Sequence, residues 1–309
     1  MEHLKGRSLA GLHEYSTEEI IAILDLADKL KRDLKSGKSE KILTGKSLAM
    51  IFQKPSTRTR VSFEVGIFQL GGMGLYLGAR DMQLGRGESV PDTARVLSRF
   101  CDGIMARVFG HQDILDLAEY AQVPVINGLS DLLHPCQALA DLQTIREKKG
   151  QFKGLRLVYV GDGNNVAHSL MFACAKVGMH CAVVYPEGFA PDAKMLELSR
   201  QDASLTGAEI ESTSELAAVE GADVIYTDVW ASMGQEEEHE KRLKIFAAYQ
   251  VNEELVKRAA PDCIVMHCLP AHRGEEITDG AVDSPQSVVF DQAENRLHAQ
   301  KSVMALLMG

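Results

Sequence analysis

The run KPSTRTR at residues 54–60 holds the residue types best suited to chemistry, and it lies between an apolar strand and the start of a helix. A helix N-terminus leaves backbone N–H groups unpaired and carries partial positive charge. The hydroxyl groups and two arginines, Arg58 and Arg60, add donors for a phosphate or similar anion. An isolated STR would be interpreted as a Ser/Thr cap beside solvated arginines, but this context favours an anion site. A nucleoside triphosphate is not expected, because the sequence lacks GxxxxGK followed by Ser or Thr.

Further polar side chains are expected at the carboxyl edge of the same sheet. His134 and Gln137 stand at the start of a helix with Pro135 in its first turn, where a missing N–H costs nothing. Open α/β sheets bind ligands at this edge, where His can donate to a carbonyl oxygen and Gln can hold an amide nitrogen. A capping His and a solvent-facing Gln are the alternative. Arg107 ends a buried strand, which indicates an anionic partner.

The second half of the chain begins with VYVGDGNNVAH at residues 158–168, which is similar to a dinucleotide-binding fingerprint. The third glycine position is not glycine, so we favour Asn165 as a polar contact for a small ligand. Asp228 follows a strand and precedes Ser232, Met233 and a glycine, a pattern typical of a mobile binding loop. A surface loop leading into a charged helix is the alternative.

The segment HCLPAHRG at residues 267–274 ends another strand. No CxxC or HxxxH spacing organises its histidines and cysteine, which argues against structural zinc. A cysteine nucleophile would need a base such as His272 within reach. We therefore favour Cys268 as a pocket wall, with backbone carbonyls turned toward the ligand. Arg296 in the terminal helix is a surface residue or another anion contact, and a surface position is the more typical of the two.

Short apolar strands alternate with helical patterns on both sides of a linker at residues 148–154. The strands predicted are 47–52, 73–77, 103–108, 123–127, 156–160, 181–185, 208–211, 223–227 and 263–267, with 288–290 as a further short strand. The helices predicted include 57–70, 89–100, 112–121, 135–148 and a terminal helix near 292–308. This alternation predicts an α/β fold with two doubly wound parallel-sheet domains.

The bulk composition excludes several classes of protein. A chain of 309 residues with 45% apolar and 25% charged residues suits two globular domains. The formal net charge of −10 argues against nucleic-acid or anionic-membrane binding. No stretch has the length of a membrane span, and the N-terminus has neither a secretory core nor a basic leader. The six scattered cysteines indicate buried thiols in a reducing cytoplasm.

Together these segments closely resemble those of ornithine carbamoyltransferases. The matching segments are Ser56–Arg60, Asp81–Glu88, His134–Gln137, Asp228 with Ser232–Gly234, and His267–Pro270. The first and third segments occur in carbamoyltransferases generally. Asp228 with Ser232–Gly234, and the cysteine of HCLP, point to ornithine rather than aspartate.

The resemblance implies that the active site lies in the cleft between the two domains. Residues 1–148 with the C-terminal helix 290–309 would bind carbamoyl phosphate, and residues 149–289 would bind L-ornithine. The products would be L-citrulline and phosphate, in arginine metabolism, with no cofactor and no metal. The family is built on catalytic trimers, so we expect a cytoplasmic homo-oligomer, a trimer or a multiple of trimers. Gln83 would reach a neighbouring subunit's site.

The resemblance also implies individual roles. The ligands of carbamoyl phosphate would be Ser56, Thr57, Arg58, Thr59, Gln83, Arg107, His134, Pro135, Cys136, Gln137, Cys268, Leu269 and Arg296. The ligands of ornithine would be Asn165, Asp228, Ser232 and Met233. The catalytic residues would be Arg107, His134, Gln137 and Cys268, with Arg107 and His134 at the carbonyl oxygen and Cys268 near the attacking amine.

Three other functions remain open from the sequence. A related transferase could act on aspartate, putrescine or an acylated ornithine, although Asp228 favours a free amino-acid head group. An NAD(P)-dependent oxidoreductase could use the GDG turn. A binding or regulatory protein could keep the site without turnover, although the full set of phosphate and carbonyl ligands argues against it.

Overall fold

The computed structural model describes residues 2–80, 82–83, 87–231 and 238–309. The chain divides into two compact units, the first formed by residues 1–143 with 294–309 and the second by residues 144–293. Both boundaries fall inside helices, Pro135–Lys149 and Val289–Met308. Each of these helices therefore contributes residues to both units.

The first unit is built on a parallel sheet in the strand order β2-β1-β3-β4. Its strands are β1 (Ser47–Phe52), β2 (Met73–Gly78), β3 (Gly103–Arg107) and β4 (Val125–Leu129). Its helices are α1 (Thr17–Lys35), α2 (Thr57–Gln69), α3 (Val90–Phe100), α4 (His111–Tyr120) and most of α5 (Pro135–Lys149). The central strands β1 and β3 are buried almost throughout, whereas the edge strand β2 is partly exposed.

Local sequence explains where the helices of this unit begin. Ser16 and Glu19 form a capping box at α1, with the Ser16 hydroxyl accepting from the Glu19 N–H and the Glu19 carboxylate accepting from the Ser16 N–H. Ser56 and Ser89 cap α2 and α3 in the same N-terminal manner. The Ser56 cap closely follows β1, so it turns the chain at the carboxyl end of that strand.

The second unit contains a parallel sheet in the order β7-β6-β5-β8-β9. Its strands are β5 (Arg156–Val160), β6 (His180–Val184), β7 (Ile210–Thr213), β8 (Val224–Thr227) and β9 (Ile264–His267). Its helices are α6 (Asn165–Val177), α7 (Ala193–Thr206), α8 (His239–Phe246), α9 (Glu253–Val256), α10 (Asp279–Val282) and the start of α11 (Val289–Met308). From β5 the chain adds β6 and β7 on one side and then β8 and β9 on the other, so the strand order switches between β5 and β8. Open α/β sheets bind ligands at such switch points.

The predicted α/β class with two parallel sheets flanked by helices is confirmed. The prediction of a short strand at 288–290 is wrong, because α11 begins at Val289. Only an isolated bridge joins Ser287 to Val265 just before it. Val289 is fully buried in the apolar core of the second unit, so its burial follows from the first turn of a helix rather than from a strand.

The six cysteines are free thiols, as expected, and five of them are buried. Within the described residues, no helix is both long enough and apolar enough to cross a membrane.

Candidate functional site

The start of α2 forms the first part of the candidate site. The Ser56 Oγ accepts from the Thr59 backbone N–H at 3.3 Å and donates to the Thr59 hydroxyl at 3.1 Å. Thr57 and Arg58 therefore occupy the first helical turn, where backbone N–H groups have no acceptor within the helix. Arg60 pairs with Glu64 and stacks on Tyr76, 3.9 Å from its ring centre, contacts that account for this arginine without an anion.

Arg296 of α11 joins three segments of the first unit. It is buried, with 4% of its surface exposed, so the surface position preferred from the sequence is wrong. Its Nη1 donates to the Gln137 Oε1 at 2.7 Å and its Nη2 donates to the Thr59 Oγ1 at 3.4 Å. With its oxygen facing Arg296, the Gln300 amide accepts from the same guanidinium. The burial is possible because these partners satisfy the donors of the side chain.

The orientation of the Gln137 amide is fixed at both ends. Its Nε2 donates to the Asp141 Oδ1 at 2.8 Å, while its Oε1 accepts from Arg296. A carbonyl oxygen has two lone pairs, so Oε1 can accept a second hydrogen bond from a ligand N–H. The Gln137 Oε1 is therefore an acceptor of the kind that a carbamoyl NH2 group requires.

Arg107 and His134 complete the candidate site in the first unit. Arg107 is the last residue of β3, is almost fully buried, and pairs in register with β1 and β4. Burial, and then the positive charges of Arg296 and Arg107, hold the pKa of His134 well below its usual 6.5. His134 is therefore a neutral imidazole at pH 7, able to donate one hydrogen bond. Burial and the charge of Arg107 also lower the pKa of Lys54, whose Nζ lies 4.5 Å from the Phe109 ring centre.

Three other predicted ligands lie in the first unit. Pro135 is the buried first residue of α5. Cys136 donates its thiol to the Asn127 carbonyl at 3.4 Å, and burial raises the pKa of this thiol to about 12, so it stays protonated. Gln83 is exposed in the loop between β2 and α3, and residues 81 and 84–86 of the predicted loop lie outside the described residues.

Asp228 forms the centre of the candidate site in the second unit. It directly follows β8 and is 7% exposed. Its Oδ2 accepts from the Asn164 amide at 2.9 Å, and its Oδ1 accepts from the Cys268 thiol at 3.0 Å and the Val229 N–H at 2.8 Å. In the described part of the chain these donors are all uncharged. A nearly buried carboxylate with neutral donors is suited to a cationic ligand.

The start of α6 positions the two asparagines. Asn164 is the N-cap, its Oδ1 accepting from the Val166 and Ala167 N–H groups, and Asn165 is the first helical residue. Sequence reasoning missed the contact of Asn164 with Asp228, although an Asn before a helical pattern is a capping signal. A Cβ on Gly163 would lie 2.3 Å from the Pro191 nitrogen. Close backbone packing therefore explains this glycine without a dinucleotide.

His267 holds the HCLP segment in place. Its Nδ1 accepts from the Leu269 N–H at 2.8 Å, and its Nε2 donates to the buried Glu276 at 3.0 Å. Leu269 adopts a left-handed φ of 57°, which is uncommon for a residue other than glycine. Asp228, His267 and Cys268 lie close enough to hold a metal ion, but both ring nitrogens of His267 are already in use. No local sequence pattern indicates the His267–Glu276 pair.

Arg242 contacts the described residues that follow Asp228. Ser232 and Met233, both predicted ornithine ligands, lie outside the described residues. Arg242 of α8 donates from its Nη1 to the Asp162 Oδ2 at 2.6 Å and to the Trp230 carbonyl at 2.7 Å. One guanidinium thus connects α8, the residues after β8 and the turn that precedes Asn164. Sequence reasoning missed this arginine.

Two family models together match most of the chain. A family model described as "Aspartate/ornithine carbamoyltransferase, carbamoyl-P binding domain" matches residues 7–147, and one described as "Aspartate/ornithine carbamoyltransferase, Asp/Orn binding domain" matches residues 153–307. The chain is 64% identical over 307 residues to ornithine carbamoyltransferase of Thermococcus kodakarensis, covering 99% of this chain and 98% of that protein.

Solved structures give the same result. Ornithine carbamoyltransferase from Pyrococcus furiosus is 62% identical with a TM-score of 0.97, covering 99% of this chain and 98% of that chain. Ornithine carbamoyltransferase from Gloeobacter violaceus is 47% identical with a TM-score of 0.89, covering 99% of both chains. From these matches, the chain belongs to the aspartate/ornithine carbamoyltransferase family.

Proposed function

We propose that this chain transfers the carbamoyl group of carbamoyl phosphate to the side-chain amine of L-ornithine, giving L-citrulline and phosphate. The observation that carries the proposal is a complementary pair of sites. The first unit gathers Arg107, Arg296 and the start of α2, which suit a phosphate. The second unit holds Asp228 among neutral donors, which suits an ammonium group.

Residues 1–148 with 290–309 are proposed to bind carbamoyl phosphate. Its phosphate would accept hydrogen bonds from the first backbone N–H groups of α2 and from the hydroxyls of Ser56, Thr57 and Thr59. The Arg58 guanidinium would add a positive charge, so these groups together suit a dianion. The Gln137 Oε1 and the Leu269 carbonyl would accept from the carbamoyl NH2. Pro135 and Cys136 would line the wall of this site. The Cys136 thiol stays protonated, so it would add no charge there. Arg296 would act by holding Gln137 and Thr59 in position.

Arg107 and His134 are proposed to activate the carbonyl group. When the amine attacks, a C–N bond forms and the carbonyl oxygen gains negative charge. Donors already aimed at that oxygen stabilise the transition state more than the substrate. The bond from carbon to the phosphate oxygen then breaks, with its electron pair leaving on phosphate, and the amine loses a proton. A neutral His134 suits this role, because it donates a hydrogen bond without repelling the neighbouring arginines.

Residues 149–289 are proposed to bind ornithine. Asp228 would pair with the α-ammonium, Asn165 would contact the α-carboxylate end, and Ser232 and Met233 would complete the head-group site. Cys268 would lie near the attacking amine, and its hydrogen bond to Asp228 places it beside the proposed head-group anchor.

A colorimetric citrulline assay tests the function directly. Purified protein mixed with carbamoyl phosphate and L-ornithine should form citrulline and phosphate in equal amounts. Aspartate, putrescine and N-acetylornithine serve as matched acceptors. Aspartate lacks the side-chain amine, putrescine lacks the carboxylate, and N-acetylornithine lacks a free α-amino group, so each should react at least about a hundredfold more slowly than ornithine. Carbamoylation of another acceptor in preference to ornithine would overturn the assignment.

We also propose a cytoplasmic homotrimer, or a multiple of trimers, in which Gln83 reaches a neighbouring site. Val61, Val65 and Phe68 form one exposed face of α2, and Met73 and Leu75 are exposed on the edge strand β2 beside it. A second copy that covers this apolar surface would remove it from water. The change Phe68→Glu should convert the trimer to monomers in sedimentation experiments, whereas Leu205→Glu, at another exposed apolar residue, should leave the mass unchanged.

A further inference from the structure

A second cluster of histidine and glutamate side chains lies in the turn that follows β9. The Glu275 carboxylate stands between two imidazoles, with its Oε1 3.4 Å from the His239 Nε2 and its Oε2 3.5 Å from the His272 Nδ1. The two ring centres are 6.4 Å apart. The His239 side chain comes from the first turn of α8, so the cluster joins two separate segments of the second unit.

Ligand atoms of His272, Glu275 and Glu276 lie close enough together to hold a small divalent ion, and His239 lies beside Glu275 at the edge of this group. Zinc binds nitrogen and carboxylate oxygen at about 2.0–2.2 Å, which places neighbouring tetrahedral ligands about 3.3–3.5 Å apart. Imidazole nitrogen also favours zinc, cobalt or nickel over magnesium and calcium, which prefer oxygen ligands. The side chains of His239, Glu275 and His272 are partly exposed, so an ion can enter from solvent.

Glu276 gives an independent indication of a cation. It is fully buried, and ligand atoms of His272, Glu275 and Glu276 lie within 4.8 Å of one another. Its Oε1 accepts from the His272 backbone N–H at 2.6 Å and from His267, whereas its Oε2 is buried with no hydrogen-bond partner in the described part of the chain. Buried carboxylate oxygens rarely remain without a donor or a cation.

We propose that His272, Glu275 and Glu276 form a binding site for a zinc-class divalent cation, with the His239 imidazole beside Glu275 at its edge. The site differs from the group of Asp228, His267 and Cys268, since it contains no sulfur ligand and no residue assigned to substrate. A bound ion would hold the turn after β9, which contacts the first turn of α8 through His239 and Glu275. Its expected consequence is stabilisation of the second unit, which can be measured whether or not the proposed transfer reaction is correct.

Metal binding to the whole protein tests this proposal. After treatment with a chelator, the protein is titrated with Zn²⁺ by calorimetry and with Co²⁺ by absorption spectroscopy. We expect one equivalent of metal ion to bind at a site with nitrogen and oxygen ligands. The d–d absorption bands of bound Co²⁺ should persist in the variant Cys268→Ser, because the site contains no sulfur ligand. The double variant His239→Ala/His272→Ala should weaken this binding by more than about tenfold. Zn²⁺ should raise the melting temperature of the wild-type protein and lose that effect in the double variant.

His3→Ala is the matched control, because His3 also pairs with a carboxylate, Glu19, but lies in the first unit. It should bind zinc as the wild type does. A protection experiment needs no variant: Zn²⁺ should shield His239 and His272 from diethyl pyrocarbonate, as mapped by mass spectrometry. The proposal is overturned if the double variant keeps full affinity, if Cys268→Ser alone abolishes binding, or if neither histidine is protected.

Discussion

The candidate sites of the two units differ in how charge is arranged. The first unit collects positive charge, with Arg107 and Arg296 near a neutral His134. The second unit presents one carboxylate, Asp228, whose donors in the described chain are uncharged. The cationic site is held by side-chain hydrogen bonds between helices, whereas the anionic site is held by a helix cap and a thiol.

This difference indicates what each unit can discriminate. A group of cations and helix N–H donors binds any small dianion strongly, so its selectivity depends on the orientation of neutral groups such as Gln137. A nearly buried carboxylate whose donors in the described chain are uncharged suits a cation, because none of those donors compensates its charge. We therefore expect substitutions in the first unit to reduce turnover and substitutions in the second to reduce apparent affinity for the amino acid.

The largest effect is expected for Arg107→Ala. Removal of a donor aimed at the carbonyl oxygen should lower kcat by about a hundredfold to a thousandfold, with a smaller change in the KM for ornithine. Steady-state kinetics with both substrates varied would measure this. Arg95→Ala is the control, since Arg95 is exposed, pairs with Asp92, stacks on Tyr120 and is not among the proposed ligands of either substrate. An unchanged kcat in Arg107→Ala would remove Arg107 from catalysis.

The pH dependence should arise from the ligand of the second unit. An alkyl amine with a pKa near 10.4 is less than about 0.1% neutral at pH 7, so kcat/KM should rise from pH 7 to 9, by up to about tenfold per unit. The lowered pKa of His134 keeps it neutral across this range, so it adds no inflection. A flat or falling profile in stable enzyme would contradict control by amine deprotonation.

Asp228→Asn tests the anionic site. Loss of the charge should raise the apparent KM for ornithine by about tenfold to a hundredfold, because a charge-assisted contact to the α-ammonium is lost. The KM for carbamoyl phosphate should change much less. Asp262→Asn provides the comparison, since Asp262 is exposed and pairs with Lys149. Equal changes in both KM values would show that Asp228 is not specific to the amino acid.

The smallest effect is expected for Arg242→Lys. Lysine keeps the charge but lacks the planar guanidinium that contacts both Asp162 and the Trp230 carbonyl. The apparent KM for ornithine should rise by about tenfold or less while kcat is nearly kept. Arg258→Lys is the matched control, because Arg258 also donates to a carbonyl and a carboxylate but away from this loop. A larger effect of Arg258→Lys would argue against a positioning role for Arg242.

Most of the fold could be predicted because buried parallel strands appear as short apolar runs between turn signals. The same property explains the error at residues 288–290, since a short apolar run does not distinguish a strand from the buried first turn of a helix. The helix cap at Ser56 could be predicted for a similar reason, because an N-cap is a local sequence signal.

Contacts that depend on tertiary partners were not accessible from the sequence. The burial of Arg296 depends on Gln137 and Thr59, which are far away along the chain. The pairing of His267 with Glu276 likewise depends on a turn that no local pattern specifies. Individual charges were therefore predicted as site members, while the hydrogen bonds that orient them required the structure.

The chain order of the first unit has a consequence for synthesis. Its sheet is encoded before residue 143, but the unit also includes residues 294–309, and Arg296 lies among them. A nascent chain that has already emerged from the ribosome through β4 still lacks the guanidinium that orients Gln137. The earliest part of the protein to be translated is thus completed only when the last helix is released, so a premature stop near the C-terminus removes function encoded near the N-terminus.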